Sequence, residues 1–358
     1  MKRTALIVSL VAILGAGCSL LPGLEPAVRE IEITDATGHM VILPENPENI
    51  AIAGRATVMV QDAIYMFEEA SEKVVALESR NQSAFAFLPV VDPGVYDKEI
   101  FEKNAGPEQI AAAKPDLVIL KNFMAESIGE PLEQIGIPVI YLDLETPEAF
   151  YRDIEVLGQV FGNTDRVDEI TTYFQTRVSR VEEMVSGAED KPTVLILRYN
   201  EDGGEVAFNV PPASWLQTSM VETAGGVPVW ADLEFGKGWT VVNLEQIAAW
   251  DPEQIFLIDY AGGAPEIAAG LKLNPLWSNL GAVQRDQLFA FGYDFYSWDQ
   301  PDTRWILGLQ WLATRIHPDL TAELDILAEV NSFYQILYFL DQETIDSEVL
   351  PILSGDLP

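Results

Sequence analysis

Residues 108–120, EQIAAAKPDLVIL, return 137 positions later as residues 245–257, EQIAAWDPEQIFL. In both stretches a glutamate opens a short amphipathic helical turn, Pro115 or Pro252 stops it, and an apolar run suited to a strand follows. That is one helix-to-strand step of a parallel sheet, whose buried strands read as continuous apolar runs. A recurrence spaced this widely is no solenoid repeat, so it predicts two similar lobes. The competing reading is that EQIAA-x-x-P marks only a common helix-to-strand junction.

Outward from the first copy, residues 30–43 alternate apolar and polar around Asp35-Ala36-Thr37-Gly38, the pattern of a β-hairpin. Strands are predicted over 49–53, 73–77, 116–120 and 139–142, with helices over 56–69 and 127–135 and a long loop over 78–107. Such alternation implies a parallel sheet covered by helices on both faces. Residues 146–161 and 165–185 read as two helices separated by Gly162-Asn163-Thr164. At 1.5 Å per residue the second is a rod about 30 Å long, a rigid joint between lobes. Beyond it, strands are predicted over 193–197, 254–258 and 287–291, with helices over 215–223, 303–316 and from 320 into the tail. The apolar periodicity of the tail fits a helix packed on the second lobe, and its last ten residues read as loop. The expected organisation is a leader over 1–17, a tether over 18–29, an N-terminal lobe over 30–145, a helical connection over 146–187 and a C-terminal lobe over 188–358.

Lys2 and Arg3 precede an apolar stretch over 5–17, too short for a permanent membrane span and suited to an export signal. It ends in Gly15-Ala16-Gly17 before Cys18, the single cysteine of the chain. The arrangement resembles the lipobox of bacterial lipoproteins, although Gly15 stands where such sites usually carry leucine. A lipidated Cys18 would anchor the mature chain at the outer side of the membrane. The alternative is an incidental buried thiol.

The chain carries 21 Lys and Arg against 56 Asp and Glu, a formal net charge of −35. Nucleic acid is excluded as a ligand, since binding it needs a basic surface. The acidity reads as a solvated surface that keeps an exported chain soluble and monomeric, not as a calcium site, because no D-x-D-x-D-G loop occurs. His39 and His317 are the only histidines, and no nucleophile, phosphate or zinc motif stands in a fitting context. Neither a catalytic residue nor a metal-ligand set is expected, which leaves a carboxylate-dependent surface enzyme and a structural lipoprotein as minor alternatives.

Taken together, the leader with its cysteine, the hairpin ITDATGHMVILPENPENIAI, the two lobes with one long helix between them and the glutamate-led repeat resemble the class III (cluster A) substrate-binding lipoproteins of ABC importers. The resemblance implies a ligand cleft between two Rossmann-like lobes. It also implies a metal chelate as cargo, ferric siderophore first, with haem, cobalamin and molybdate or tungstate behind it. It further implies a permease with its ATPase subunits as partner, and places Glu108 and Glu245 at the positions that dock with permease arginines. Either glutamate is equally at home in a first helical turn, where the macrodipole favours it.

Ligands of open α/β sheets bind beyond the carboxyl ends of the strands. Applied to this chain, that rule selects Arg55, Arg80, Asn81 and Phe123 in the first lobe. In the second it selects Arg198, Tyr199, Tyr260, Tyr293, Tyr296 and Trp298, with Trp239 of FGKGWT at the rim. Arginines clamp anionic groups in two-pronged fashion, and aromatic faces suit a chelate or macrocycle. Each arginine could instead pair with a nearby acid. Part of the aromatic group could be core, but YDFYSWDQPDTRW looks too polar to be all core, and at least one of Tyr293, Tyr296 and Trp298 is expected to touch ligand.

Overall fold

The computed structural model describes residues 29–79, 86–232, 236 and 238–357. The leader, Cys18, Arg80 and Asn81 lie outside the described residues.

A hairpin of β1 (Glu30–Thr34) and β2 (Met40–Pro44) precedes the sheet of the first lobe. Asp35 builds its turn, one carboxylate oxygen accepting from the backbone N–H of Thr37 at 2.9 Å and of His39 at 3.1 Å. Its other oxygen accepts from the Tyr141 N–H and so ties the hairpin to the lobe.

The first sheet holds β3 (Ile50–Ile52), β4 (Val74–Glu78), β5 (Glu99–Phe101), β6 (Leu117–Lys121) and β7 (Val139–Leu142). Its order is β5-β4-β3-β6-β7 and every pair is parallel. The helix after β3 is shorter than its pattern predicts, Thr57–Ile64, and a separate turn, Ala70–Lys73, leads into β4.

The second sheet comprises β8 (Thr193–Asp202), β9 (Glu205–Val210), β10 (Val227–Pro228), β11 (Thr240–Val242), β12 (Gln254–Ile258) and β13 (Leu288–Ala290). Along β11-β9-β8-β12-β13, the β8, β12 and β13 pairings are parallel, whereas β8–β9 and β9–β11 are antiparallel. The sequence reading ended β8 five residues early and overlooked β9. Gly203 and Gly204 both adopt positive φ, as a two-residue hairpin turn of this hand requires, and the strand runs on to meet it.

The repeat is structural in detail. Lys114 and Asp251, each just before its proline, are both left-handed, with φ of 53° and 45°. The acid after each proline then accepts from the first strand of its lobe. Asp116 takes the Asn49 N–H at 3.0 Å, and Glu253 takes the Thr193 N–H at 2.8 Å. One four-residue device therefore sets the register of β6 on β3 and of β12 on β8.

Two helices connect the lobes, Pro147–Phe161 and Thr164–Val185. Thr146 caps the first by accepting from Ala149 N–H at 3.1 Å. Gly162, at φ 68°, ends it, and Asn163 caps the second through Arg166 N–H.

The tail departs from expectation. Its helix, Ile326–Tyr338, does not pack on the second lobe alone. Tyr338 donates its hydroxyl to the Asp62 carbonyl in the first lobe at 3.0 Å, and Arg166 of the long helix donates to the Ile336 and Leu337 carbonyls. The final residues form a strap. Ser354 and Tyr293 exchange backbone hydrogen bonds, and the Asp356 carboxylate accepts from Ala290 N–H at 2.6 Å.

Candidate functional site

Three of the residues selected at strand ends come together on the second lobe. Arg198 lies inside β8, not in a loop after it, and its guanidinium sits 4.7 Å from the Tyr260 ring centroid and 5.3 Å from that of Trp239. Trp239 packs edge-on against Trp215 at 5.9 Å and against Tyr260 at 6.2 Å. Arginine over aromatic faces is a favourable and pre-oriented cation–π arrangement. Among the described residues Arg198 has no carboxylate partner, and its buried Nε has no hydrogen-bond partner. In so acidic a chain an unpaired, half-buried arginine calls for an anion. Beside it opens a recess of about 610 Å³ whose lining includes Arg198, Tyr199, Asp259 and Tyr260. Tyr199 faces this recess and donates its hydroxyl to Glu201 at 2.6 Å.

Beneath Tyr260 lies Asp299, which the sequence reading overlooked. Its carboxylate is fully buried and accepts from Tyr260 Oη at 3.1 Å, Gln217 Nε2 at 3.2 Å and Ser297 Oγ at 2.6 Å. Burial is the main cause that pushes its pKa up to about 6, against the opposing pull of these donors and of Arg198. The Tyr260 hydroxyl is in turn raised well above its ordinary value, by burial first, then by Asp299. Glu145, after β7, adds a smaller contribution to that shift from the first lobe.

On the first lobe, Arg55 follows β3 and is exposed, with its guanidinium 5.5 Å from the centroid of the half-exposed Phe123 ring. It too has no carboxylate partner among the described residues. Lys121, at the end of β6, is fully buried and pairs with Glu145 at 2.7 Å. The Glu145 carbonyl accepts from Leu216 N–H at 3.1 Å, a backbone bond that joins the lobes. No group of three or more His, Cys, Asp or Glu able to hold a metal ion occurs among the described residues.

The run YDFYSWDQPDTRW is not the polar ligand wall that its composition suggests. Every residue from Phe291 to Ala313 is buried. Trp298, selected as a ligand contact, is fully buried, donates its indole N–H to Asp294 at 3.0 Å, and packs so closely on Gly292 that a Cβ there would come within 2.3 Å of it. Tyr293 is held in the strap by its backbone pairing with Ser354. Tyr296 lines a recess, about 330 Å³ in volume, shared with Gln61, Leu77, Phe87 and Val95. The charged groups of the run pair with one another and with the first lobe, although Arg304 Nη2 and Trp305 Nε1 are buried without a hydrogen-bond partner. Arg304 donates its Nε to Asp294 at 2.7 Å and its Nη1 to Asp62 of the first lobe, with Asp302 at 3.7 Å. Its plane lies 4.4 Å from the Phe87 centroid and 5.0 Å from that of Tyr296.

Asp62, like Asp299, is pushed up to about 6, burial outweighing Arg304. A carboxyl raised on folding stabilises the native state fully below its unfolded value, near 4, and loses that contribution as pH climbs through 6. Acidifying the ligand-free chain from about pH 7.5 to about pH 5.5 should therefore raise its Tm. A flat or falling Tm across that window would show these carboxylates ionised throughout.

Glu108 and Glu245 are both exposed, each in the first turn of its repeat helix, Pro107–Ala112 and Leu244–Trp250.

Comparison with known proteins agrees with this architecture. The family described as periplasmic binding protein matches residues 59–294. The molybdate-binding protein MolA of Haemophilus influenzae is 23% identical over 332 residues, covering 87% of this chain and 88% of its own. The iron-uptake system-binding protein of Bacillus subtilis is 22% identical, covering 82% and 92%. The crystal structure of a periplasmic solute binding protein from Veillonella parvula superimposes with a TM-score of 0.73 at 23% identity, covering 90% of this chain and 98% of that one. The chain belongs to the periplasmic binding protein family, the class of two-lobed solute receptors that serve ABC importers and are not enzymes.

Proposed function

We propose that this chain captures an anionic metal chelate, ferric siderophore first, at Arg198 and delivers it to the permease and ATPase subunits of an ABC importer. The observation that carries the cargo class is Arg198, stacked on Tyr260 and Trp239 with a buried Nε lacking a partner. Arg55 and Phe123 are the first-lobe contacts of this reading, and Tyr199 and Tyr296 line its margins. A bare oxyanion is the second reading, favoured by similarity to a protein named for molybdate binding; haem and cobalamin remain as further cargoes of the same role. Residues 30–145 and 188–358 are taken as the lobes and 146–187 as the connection. The receptor works as an extracytoplasmic monomer tethered through a lipidated Cys18. Tryptophan fluorescence of the chain from Ser19, titrated with ferric siderophores, haem, cobalamin, molybdate and tungstate, tests the cargo. Saturable quenching by an anionic member is the expected result, and silence across the panel would remove the proposal.

Glu108 and Glu245 are proposed to dock on permease arginines, where charge pairs steer and register the encounter. Replacing both with alanine should lower uptake by at least about tenfold while cargo affinity stays within about twofold. Undiminished uptake would refute the docking role.

A further inference from the structure

Tyr260, which lines the Arg198 recess, rests its hydroxyl on a carboxyl group that does not face solvent. Asp299 is reached by donors from three places, Tyr260 after β12, Gln217 in the helix Leu216–Thr223 and Ser297 in its own segment. Its charged surroundings are few. Arg198 of β8 acts on it through space without an ion-pair contact, and Glu145 faces Tyr260 from the first lobe. The same tyrosine therefore touches both partners, its ring under the guanidinium and its hydroxyl on the carboxyl.

We propose that Asp299 is a positioning residue of the recess and exchanges a proton when an anion binds at Arg198. This rests on the reading of the recess as an anion site. In its ionised form Asp299 accepts from Tyr260, Gln217 and Ser297, fixes the ring beneath Arg198, and offsets part of the arginine charge. In its protonated form the offset is gone and the full charge of Arg198 meets the ligand. A bound anion adds negative charge near Asp299 and so raises its affinity for a proton, as the opposite charge of Arg198 now lowers it. Linkage then requires the reverse effect: the protonated receptor holds anions more tightly than the ionised one. The titration lies near pH 6, within the range an extracytoplasmic protein meets.

Two measurements separate this inference from the reading beneath it. First, the intrinsic tryptophan fluorescence of the ligand-free chain is titrated with acid, because Trp239 packs edge-on against Tyr260 and reports movement of that ring. A transition centred near pH 6 should appear and should vanish in Asp299→Asn. Tyr260→Phe removes one donor and keeps the ring, so it should move the midpoint upward. No transition, or one left unchanged by both substitutions, would overturn the role of Asp299. Second, molybdate is used as the probe at micromolar concentration, where it stays a monomeric dianion across the range. It should bind about tenfold more tightly at about pH 5.5 than at about pH 7.5, with the difference lost in Asp299→Asn. Equal affinity at both pH values would overturn the proton exchange. Absence of molybdate binding at either pH, with the ligand-free transition intact, would count against the anion site and not against the positioning by Asp299.

Discussion

Arg304→Ala should destabilise the chain by about 3–5 kcal/mol at neutral pH, the cost typical of removing one member of a buried ion network. Arg304 is fully buried and faces three carboxylates, Asp62, Asp294 and Asp302, of which Asp62 belongs to the other lobe. Its removal leaves that negative charge without a cation, a hole beside Phe87 and Tyr296, and a severed link between the lobes. The three acids have one escape, which is to take up protons. Arg304 now lowers the pKa of Asp62, so without it Asp62 protonates even more readily. The loss should accordingly shrink as pH falls from about 7.5 to about 5.5. Urea denaturation of both chains at the two pH values measures it. A neutral-pH loss below about 1 kcal/mol would mean that the network is already neutral in the native protein.

Arg198→Ala should have the opposite profile, little effect on folding and a large one on binding. With no carboxylate partner among the described residues, the side chain contributes its stacking on Tyr260 and Trp239 and a through-space effect on Asp299, so Tm should fall by no more than a few degrees, corresponding to about 0.5–1 kcal/mol. Affinity for an anionic cargo should drop about 100-fold, from the loss of charge-assisted hydrogen bonds in a half-buried setting. Arg198→Lys keeps the charge but loses the flat fork that lies on two rings, and should recover only part of the affinity. Calorimetric titration with the cargo found by fluorescence decides it. Unchanged affinity in the alanine variant would take Arg198 out of the site.

The first lobe was legible where its strands are buried apolar runs, whereas β5, in which only Phe101 is buried, falls inside the stretch 78–107 that reads as a loop. The apolar runs of β3, β6 and β7 stand where their patterns place them. The second lobe was less so. The residues of β8 beyond Leu197 turn polar and Asn200 and Glu201 are exposed, so hydrophobicity no longer marks the strand, and only Gly203-Gly204 signals the hairpin that prolongs it. Arg198 and Tyr260 were selected as strand ends and Trp239 from the glycine-rich FGKGWT, and the structure brings the three together with Arg198 inside β8. The same rule misjudged Trp298. A polar run after the last strand looks like a ligand wall when its charges are counted one by one, and becomes core once Asp62, from a helix some 240 positions earlier in the chain, supplies a carboxylate to Arg304.

By itself, then, the sequence determined the local steps: the paired repeat, the capped connector helices at Thr146 and Asn163, and the strand-to-helix turn that presents Arg55. These follow from contacts between residues a few positions apart, where propensity, capping and periodicity act directly. Tertiary structure alone decided which polar groups are satisfied. Burial raises the cost of every unpaired charge, and only the three-dimensional arrangement reveals that Arg304 is ion-paired with acids from two lobes while Arg198, equally cationic, has no carboxylate partner among the described residues.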